Sequence, residues 1–424
     1  MPRVHYGFSP EGPIAEIKPH SIAKHKVLHS YLSAYFQTLA PSHQQEELKL
    51  TIVDGFAGGG IYEHSISKEP VLGSPFVFLK AAQEADAIIN QGRNKPFRMN
   101  IDYFFIEKEK DAHTLLKNTL IQEEYGARLE TDIKLIHGTF EQQITPISEF
   151  IKKKNPRNGR SIFFLDQYGY TDVPTDVVRR ILGSFPTAEI ILTFNVDSFI
   201  NFASDSSTTN NILRNTGIPD ALRGRSIEDI KNSERDFRLY IQSCLYQELV
   251  TKCGARFFTS FFIRTEGHGD YWLVHLSQHH RARDVMTKIH WSHNNHFIHY
   301  GGPGLNMYEV LGYDHKYDLS NSNQLGFDFL FDNPAEERSV NLLMNQLPHY
   351  IFSHDEGISF GELFATTCNT SPADSIRYKK SVEQLYSHKE IEILSTDGKK
   401  RTKATTIRDT DRLIPSKQRS FSFE

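Results

Sequence analysis

Along residues 17–38 the apolar positions Ile22, Val27, Leu28, Tyr31, Leu32, Tyr35 and Phe36 recur at helical spacing. That spacing predicts an amphipathic helix, and Lys24, His25 and Lys26 are assigned to its other, solvated face. From residue 51 the pattern changes. Short apolar runs at 51–53, 101–106, 133–136, 161–165 and 189–194 read as strands. The runs IDYFFI and SIFFL are apolar almost throughout, as in a parallel sheet covered on both faces. Helical segments fall between them at 74–90, 109–124, 141–154 and 174–182, with Ser74 as N-cap and Pro75 at the first helical position of the first. Strand alternating with helix means parallel pairing with right-handed crossovers.

Residues 200–232 are polar and read as an excursion before a helix at 234–252. Two longer strands follow close together, at 256–265 and 271–277. Five parallel strands and a terminal hairpin match the sheet of class I methyltransferases, in which the last strand inserts antiparallel. The expected fold is therefore α/β, a doubly wound seven-stranded Rossmann-like sheet. Beyond a linker at 316–336, helices at 335–347, 360–366 and 372–388 precede strands at 390–394 and 402–407, joined through Thr396, Asp397 and Gly398. Three helices and a hairpin suggest a C-terminal winged helix with Lys399, Lys400 and Arg401 in its wing. The expected organisation is an N-terminal helical segment at 1–45, the sheet domain at 46–315 and the winged-helix-like domain at 335–415.

The first strand runs into TIVDGFAGGG, residues 51–60. Glycine lets the backbone turn sharply and approach a ligand with no Cβ in the way. A strand, an acid and a glycine-rich turn is how a doubly wound sheet holds a nucleotide-like ligand. The phosphate-binding variants fit badly, because neither GxGxxG nor GK[ST] is present. An acid beside the glycines suits a cation, and S-adenosylmethionine, with its sulfonium and ammonium, is the first candidate. Glu107 ends the second strand, where a carboxylate can accept both ribose hydroxyls; Thr139 and Phe140 follow the third and are placed to flank an adenine. Asp166, Gln167, Tyr168 and Gly169 end the fourth, where amino-methylating enzymes hold the exocyclic amine and stack the base. Asn195 and Asp197 end the fifth, on the acceptor side. His290, His293, His296 and His299 recur every third residue, a step that drifts around a helix, so they read as a polar surface segment and no metal site is assigned.

Composition narrows this picture. The chain has 424 residues, 38% hydrophobic and 12% aromatic, enough for a sizeable core. No apolar run reaches the ~18 residues of a membrane span. Three scattered cysteines form neither a zinc spacing nor a disulfide framework, so a cytoplasmic protein is expected. Net charge is −4, but residues 377–424 hold 12 Lys and Arg against 7 Asp and Glu. A basic tail on an acidic body is compatible with RNA or DNA contact through the C-terminal domain.

The stretches KPHSIAKHKVLHSYL, VDGFAGGG, GSPFVFLKAA, FFIEKEKDA, LDQYGYTDVP and YWLVHLSQHHRARDVM run from Lys18 to Met286. Together they resemble the three-Cys-motif partner (TcmP) family. The resemblance implies a class I S-adenosylmethionine-dependent methyltransferase fold and a partner protein carrying a three-cysteine motif. It also implies that Asp54, Gly55, Phe56, Ala57 and Gly58 cradle the methionine moiety, that Glu107 holds the ribose, and that Asp166 and Tyr168 face the transfer site. Lys24 and His25 would cover the cofactor from the N-terminal helix. Gln167 departs from the pattern, where proline is expected. The leading expectation is methyl transfer to a nucleic-acid base amine together with a partner protein. The alternative is a non-catalytic nucleotide- or nucleic-acid-binding module with the same fold, in bacterial anti-phage defence.

Overall fold

The computed structural model describes residues 8, 12, 14–40, 45–167, 172–194, 206–233, 237–263, 271–293, 297–298, 302–305, 307 and 331–416. Tyr168, Gly169, Asn195, Asp197, His296, His299 and most of the expected linker lie outside the described residues. The chain forms two units, one of Met1–Ser233 with Cys244–Ile289, the other of Glu234–Ser243 with His290–Glu424. The N-terminal helix thus belongs to the sheet unit.

In the first unit β1 (Glu16–Ile17) leads into helix α1 (Pro19–Leu39), followed by strand β2 (Glu47–Asp54) and the hairpin β3 (Ile61–His64) and β4 (Pro70–Leu72). Helix α2 (Ser74–Asn90), β5 (Arg98–Glu107), α3 (Lys110–Gln122), β6 (Ile133–His137), α4 (Phe140–Lys154), β7 (Ser161–Leu165), α5 (Thr175–Ser184) and β8 (Ala188–Phe194) continue the alternation. Seven strands, completed by β9 (Phe257–Ile263) and β10 (Tyr271–Ser277), pair in the order β9-β10-β8-β7-β2-β5-β6. All pairs from β8 to β6 are parallel, and β10 runs antiparallel to both β8 and β9. This is the class I methyltransferase strand order expected from the alternation and the terminal hairpin.

The pairing register decides which side chains share a face. Asp54 lies opposite Phe105 and Phe164, and Glu107 and Asp166 stand two residues beyond those partners. Because side chains alternate along a strand, Asp54, Glu107, Asp166 and Thr193 fall on one face. Helices α1 and α2 cover that face, with Phe78 packed edge-on to Phe164. Helix α4 covers the other, where Phe150 meets Phe104 and Phe140 meets Phe163. A capping box between Thr139 and Gln142 starts α4, and Lys152, Lys153 and Lys154 end it, consistent with the helix dipole.

Several expectations are corrected. Lys24 is buried on the inner face of α1, in phase with Val27, Leu28 and Tyr31; only Lys26 of the three polar residues is exposed. Gly73, not Ser74, is the N-cap of α2. The polar stretch after residue 205 holds two helices, α6 (Ser207–Thr216) and α7 (Ile227–Ser233). His290 is buried, not part of a polar surface.

The second unit contains a winged helix. Helix α8 (Asn333–Phe352), strand β11 (Ile358–Ser359), helices α9 (Phe360–Thr367) and α10 (Ser375–Ser387), and strands β12 (Ile391–Leu394) and β13 (Arg412–Pro415) follow in order. The three strands pair as β11-β13-β12. The return strand is therefore 412–415. The β-branched run at 402–407 contains a single 3-10 turn, Ala404–Thr406, instead of a strand. Ser359 caps α9 and Asp374 caps α10, each accepting a backbone N–H three residues on.

Candidate functional site

At the tip of β2 the chain makes its glycine turn, and the first four amides of the turn are engaged internally. Gly55 N–H donates to Phe164 O, Phe56 N–H to Asp54 Oδ1, Ala57 N–H to Ile106 O, and Gly58 N–H to Glu107 Oε2. Four successive amides, from Gly55 to Gly58, are thus satisfied inside the protein and are not presented to a phosphate. The turn contributes shape. A Cβ on Gly58, which sits at φ +63°, would stand 2.4 Å from the Tyr62 hydroxyl, and one on Gly59 would stand 2.6 Å from the Phe8 ring. Phe8 and Tyr62 pack edge to face, 5.8 Å between centres. Tyr62 lies on β3, so the small sheet of β1, β3 and β4 brings an aromatic wall to the turn.

Asp54 is fully buried. Its Oδ2 accepts the Ser74 hydroxyl at 2.6 Å. Burial pushes its pKa up to about 7, against the hydrogen bonds from Ser74 and Phe56; the nearby Asp166 and Glu107 charges push the same way as burial. Glu107 accepts the Gly58 N–H on one oxygen and the Glu109 N–H on the other, both at 2.8 Å. Burial raises its pKa as well, opposed by those backbone donors. Two carboxyls whose ionisation is disfavoured therefore flank one turn. A cation beside them restores their charge, whereas an anion is repelled.

Asp166 ends β7 and is gripped from the side. Lys24 Nζ of α1 donates to its Oδ1 at 2.6 Å and to its Oδ2 at 2.5 Å, and Thr193 Oγ1 of β8 donates to Oδ1 at 2.5 Å. Burial opposes ionisation of Asp166, but the Lys24 charge and the hydrogen bonds from Lys24 and Thr193 overcome it and hold its pKa below the usual carboxylate value. His25, half-buried beside them, is pushed down to about 4 by burial and by Lys24, with Asp166 opposing. Gln167 does not reach the turn: it is buried, and its Oε1 accepts the Val173 N–H at 3.1 Å.

Helix α1 is fixed over this face by a second polar cluster. Tyr31 donates to Glu189 of β8, and His275 of β10 lies 2.8 Å from the same Glu189 oxygen and 3.2 Å from the Tyr31 hydroxyl. Lys24 and Tyr31 are two helical turns apart, ~10.5 Å along the axis. Thr193 and Glu189 are four strand residues apart, ~13 Å. The helix therefore meets one polar stripe of the sheet at both ends.

The structure brings Asp54, Gly55, Phe56, Ala57, Gly58 and Glu107 together at one turn, with Asp166 on the neighbouring strand tip. Thr139 is an exposed helix cap, and Phe140 is buried beneath Gly55 and against Phe163. Sequence reading passed over the site roles of Ser74, Thr193, Tyr62 and Phe8. Ser74 carried a signal in its place directly after Gly73, but helix capping explained it equally well. Among the described residues no group of three or more His, Cys, Asp and Glu side chains is arranged to hold a metal, and no helix is long and apolar enough to cross a membrane.

Residues 312–398 match the family model of the GMT-like wHTH domain, which agrees with the helix and strand order of the second unit. No curated protein matches the chain. Among solved structures the chain is similar to protein LPL1258 of Legionella pneumophila, family model DUF519, with 11% identity over 59% of this chain and 84% of that one, TM-score 0.31. It is similar to the bifunctional kinase-methyltransferase WbdD, with 10% identity over 61% of this chain, TM-score 0.31, and spans only 39% of that protein. A candidate S-adenosyl-L-methionine-dependent methyltransferase from Methanococcus maripaludis matches with 9% identity over 66% of this chain and 97% of that one, TM-score 0.26. At such scores the likenesses carry no argument about chemistry. The fold class, a methyltransferase-like α/β sheet with a C-terminal winged helix, rests on the strand order and the domain match.

Proposed function

We propose that this chain binds S-adenosylmethionine at the β2 turn and transfers its methyl group to a nucleic-acid base amine, in concert with a three-Cys-motif protein as the resemblance to the TcmP family suggests. The observation that carries the cofactor reading is the pair Asp54 and Glu107 around a glycine turn whose amides from Gly55 to Gly58 are already engaged. Such a turn fits a cationic nucleoside and disfavours a pyrophosphate. The bound nucleoside would supply an activated methyl group on its sulfonium. Asp54 and the turn would hold the amino-acid end, Glu107 the ribose, and Asp166 would orient the acceptor, so that alignment supplies much of the rate. The winged helix would hold the polymer.

Calorimetry tests this directly. Wild type is expected to bind S-adenosylmethionine in the micromolar range and to give no heat with ATP, and Glu107→Ala is expected to weaken binding at least tenfold. Absence of binding to folded wild type rejects the reading. The alternative, a non-catalytic binding module, draws support from the Lys24 ammonium, which already occupies a position on each Asp166 oxygen. Labelled-methyl transfer onto total RNA, DNA and protein separates the two.

A further inference from the structure

The Lys24–Asp166 pair has one open side. The Lys24 side chain is only 6% exposed, whereas Asp166 keeps 24% of its side chain accessible. What a ligand meets at the tip of β7 is therefore the carboxylate, with the ammonium behind it. A carboxylate offers about four acceptor positions. Among the described residues Lys24 takes two and Thr193 one, two of the three on Oδ1. One position remains, on Oδ2. Close to it Lys24 balances Asp166, and His25 is neutral at pH 7, its pKa pushed down to about 4 by burial and by Lys24; beyond them His20 favours the Asp166 charge, and the Asp166 charge in turn disfavours ionisation of Asp54.

From this geometry we propose that Lys24 makes the Asp166 site selective for one uncharged N–H donor, an aromatic amine or a carboxamide, and excludes a protonated amine or a guanidinium. A neutral N–H gains a charge-assisted hydrogen bond from the Oδ2 lone pair. A cation loses its hydration at a site where Asp166 is already compensated, and it approaches the Lys24 ammonium. On this assignment Lys24 is a positioning residue, and the lysine and arginine side chains of proteins are not acceptors. The assignment rests on the methyl-transfer reading of the same strand tip.

Benzamide and benzamidinium are near-isosteric probes that differ in charge. S-Adenosylhomocysteine is first titrated into wild type, Lys24→Met and the double variant Lys24→Met, Asp166→Asn. The two probes are then titrated in its presence, followed by ligand-observed NMR. Wild type is expected to bind benzamide at least tenfold tighter than benzamidinium. Lys24→Met, which leaves Asp166 uncompensated, is expected to shift that ratio at least tenfold toward the cation. The double variant is expected to restore the neutral preference. Lys24→Gln, which keeps a hydrogen bond to Asp166, is the second single variant should Lys24→Met not fold, and a shift in the same direction is expected.

Equal binding of both probes by wild type, binding of neither, or a ratio unmoved by the loss of the Lys24 charge overturns the proposal. Failure of S-adenosylhomocysteine to bind rejects the methyltransferase reading separately, and the probe ratio still judges the site at Asp166.

Discussion

Glu107 and Gly58 are tied together: the Gly58 N–H donates to Glu107 Oε2 at 2.8 Å, while the other carboxylate oxygen accepts the Glu109 N–H. One side chain thereby joins the tip of β5 to the turn after β2. Truncation leaves the buried Gly58 amide without its acceptor, at about 1–3 kcal/mol, and frees the Glu109 amide at the exposed start of α3. Glu107→Ala is expected to lower stability by about 1–3 kcal/mol, since relief of the buried charge offsets part of the loss. Glu107→Gln, which keeps one acceptor, should lose less. Urea unfolding checks this as a lower midpoint at unchanged slope. A Glu107→Ala midpoint equal to wild type would remove Glu107 from the frame of the turn.

Asp54 makes stability depend on pH in an unusual direction. Its pKa is about 7 in the fold, raised by burial, against 3.8 as the ordinary value. Between those values the folded chain holds a proton that the unfolded chain has released. The Asp54 contribution is therefore most favourable below about pH 4, falls as pH rises, and levels off above 7. At ~1.4 kcal/mol per unit the whole span is roughly 4 kcal/mol. Asp54→Asn is expected to flatten this slope and to raise the melting temperature at pH 8 relative to pH 5, measured by parallel thermal scans. A cation bound beside Asp54 reverses the penalty, so S-adenosylmethionine and S-adenosylhomocysteine, which share the ammonium, should both bind more tightly as pH rises from 6 to 7. Identical scans for variant and wild type would show that Asp54 is ionised throughout.

The strands were legible because the sheet is covered on both faces. IDYFFI and SIFFL have no polar face to confuse the reading, and both are strands in the fold. The hairpin of β3 and β4 was not legible, since IYEH and PVL are short and half-exposed. Lys24 was misassigned because its charge was weighed above its phase. Positions 24, 27, 28 and 31 form one helical stripe, and the carboxylate that makes Lys24 tolerable lies 142 residues away. Gln167 looked like a broken motif. It accepts the Val173 N–H, a role that no spacing rule encodes. In the wing, TKATTI has the β-branched content of a strand, but the strand comes later, where Leu413 is buried opposite Ile393.

The cluster of Tyr31, Glu189 and His275 should behave as a unit. Glu189 is nearly inaccessible, so removing either partner leaves polar groups buried. Tyr31→Phe is expected to cost about 1–2 kcal/mol and Glu189→Ala about 2–4 kcal/mol. The double variant should cost clearly less than the sum, because the second change removes the group that the first left unsatisfied. Chemical denaturation of the four proteins in the cycle gives the coupling. Strict additivity would mean that Tyr31 holds α1 to the sheet by packing alone.

In the wing, Lys399, Lys400 and Arg401 face carboxylates, but not equally. Lys399 lies 3.1 Å from Asp397 and Lys400 3.0 Å from Glu392, with both lysines exposed. Such surface pairs hold little energy, so both ammonium groups can turn to a phosphate. Arg401 differs: it is 26% exposed and lies 3.5 Å from Asp411, which is 1% exposed and anchors the Arg408 amide. Changing Lys399 and Lys400 to Gln is expected to leave the unfolding midpoint unaltered and to reduce the slope of log affinity against log salt by about one to two. Arg401→Ala should instead destabilise the fold by about 1–3 kcal/mol through the stranded Asp411. Anisotropy with a labelled duplex between 50 and 200 mM salt, beside urea unfolding, separates the two roles. A salt slope unmoved by the double lysine change would take the wing out of any nucleic-acid interface.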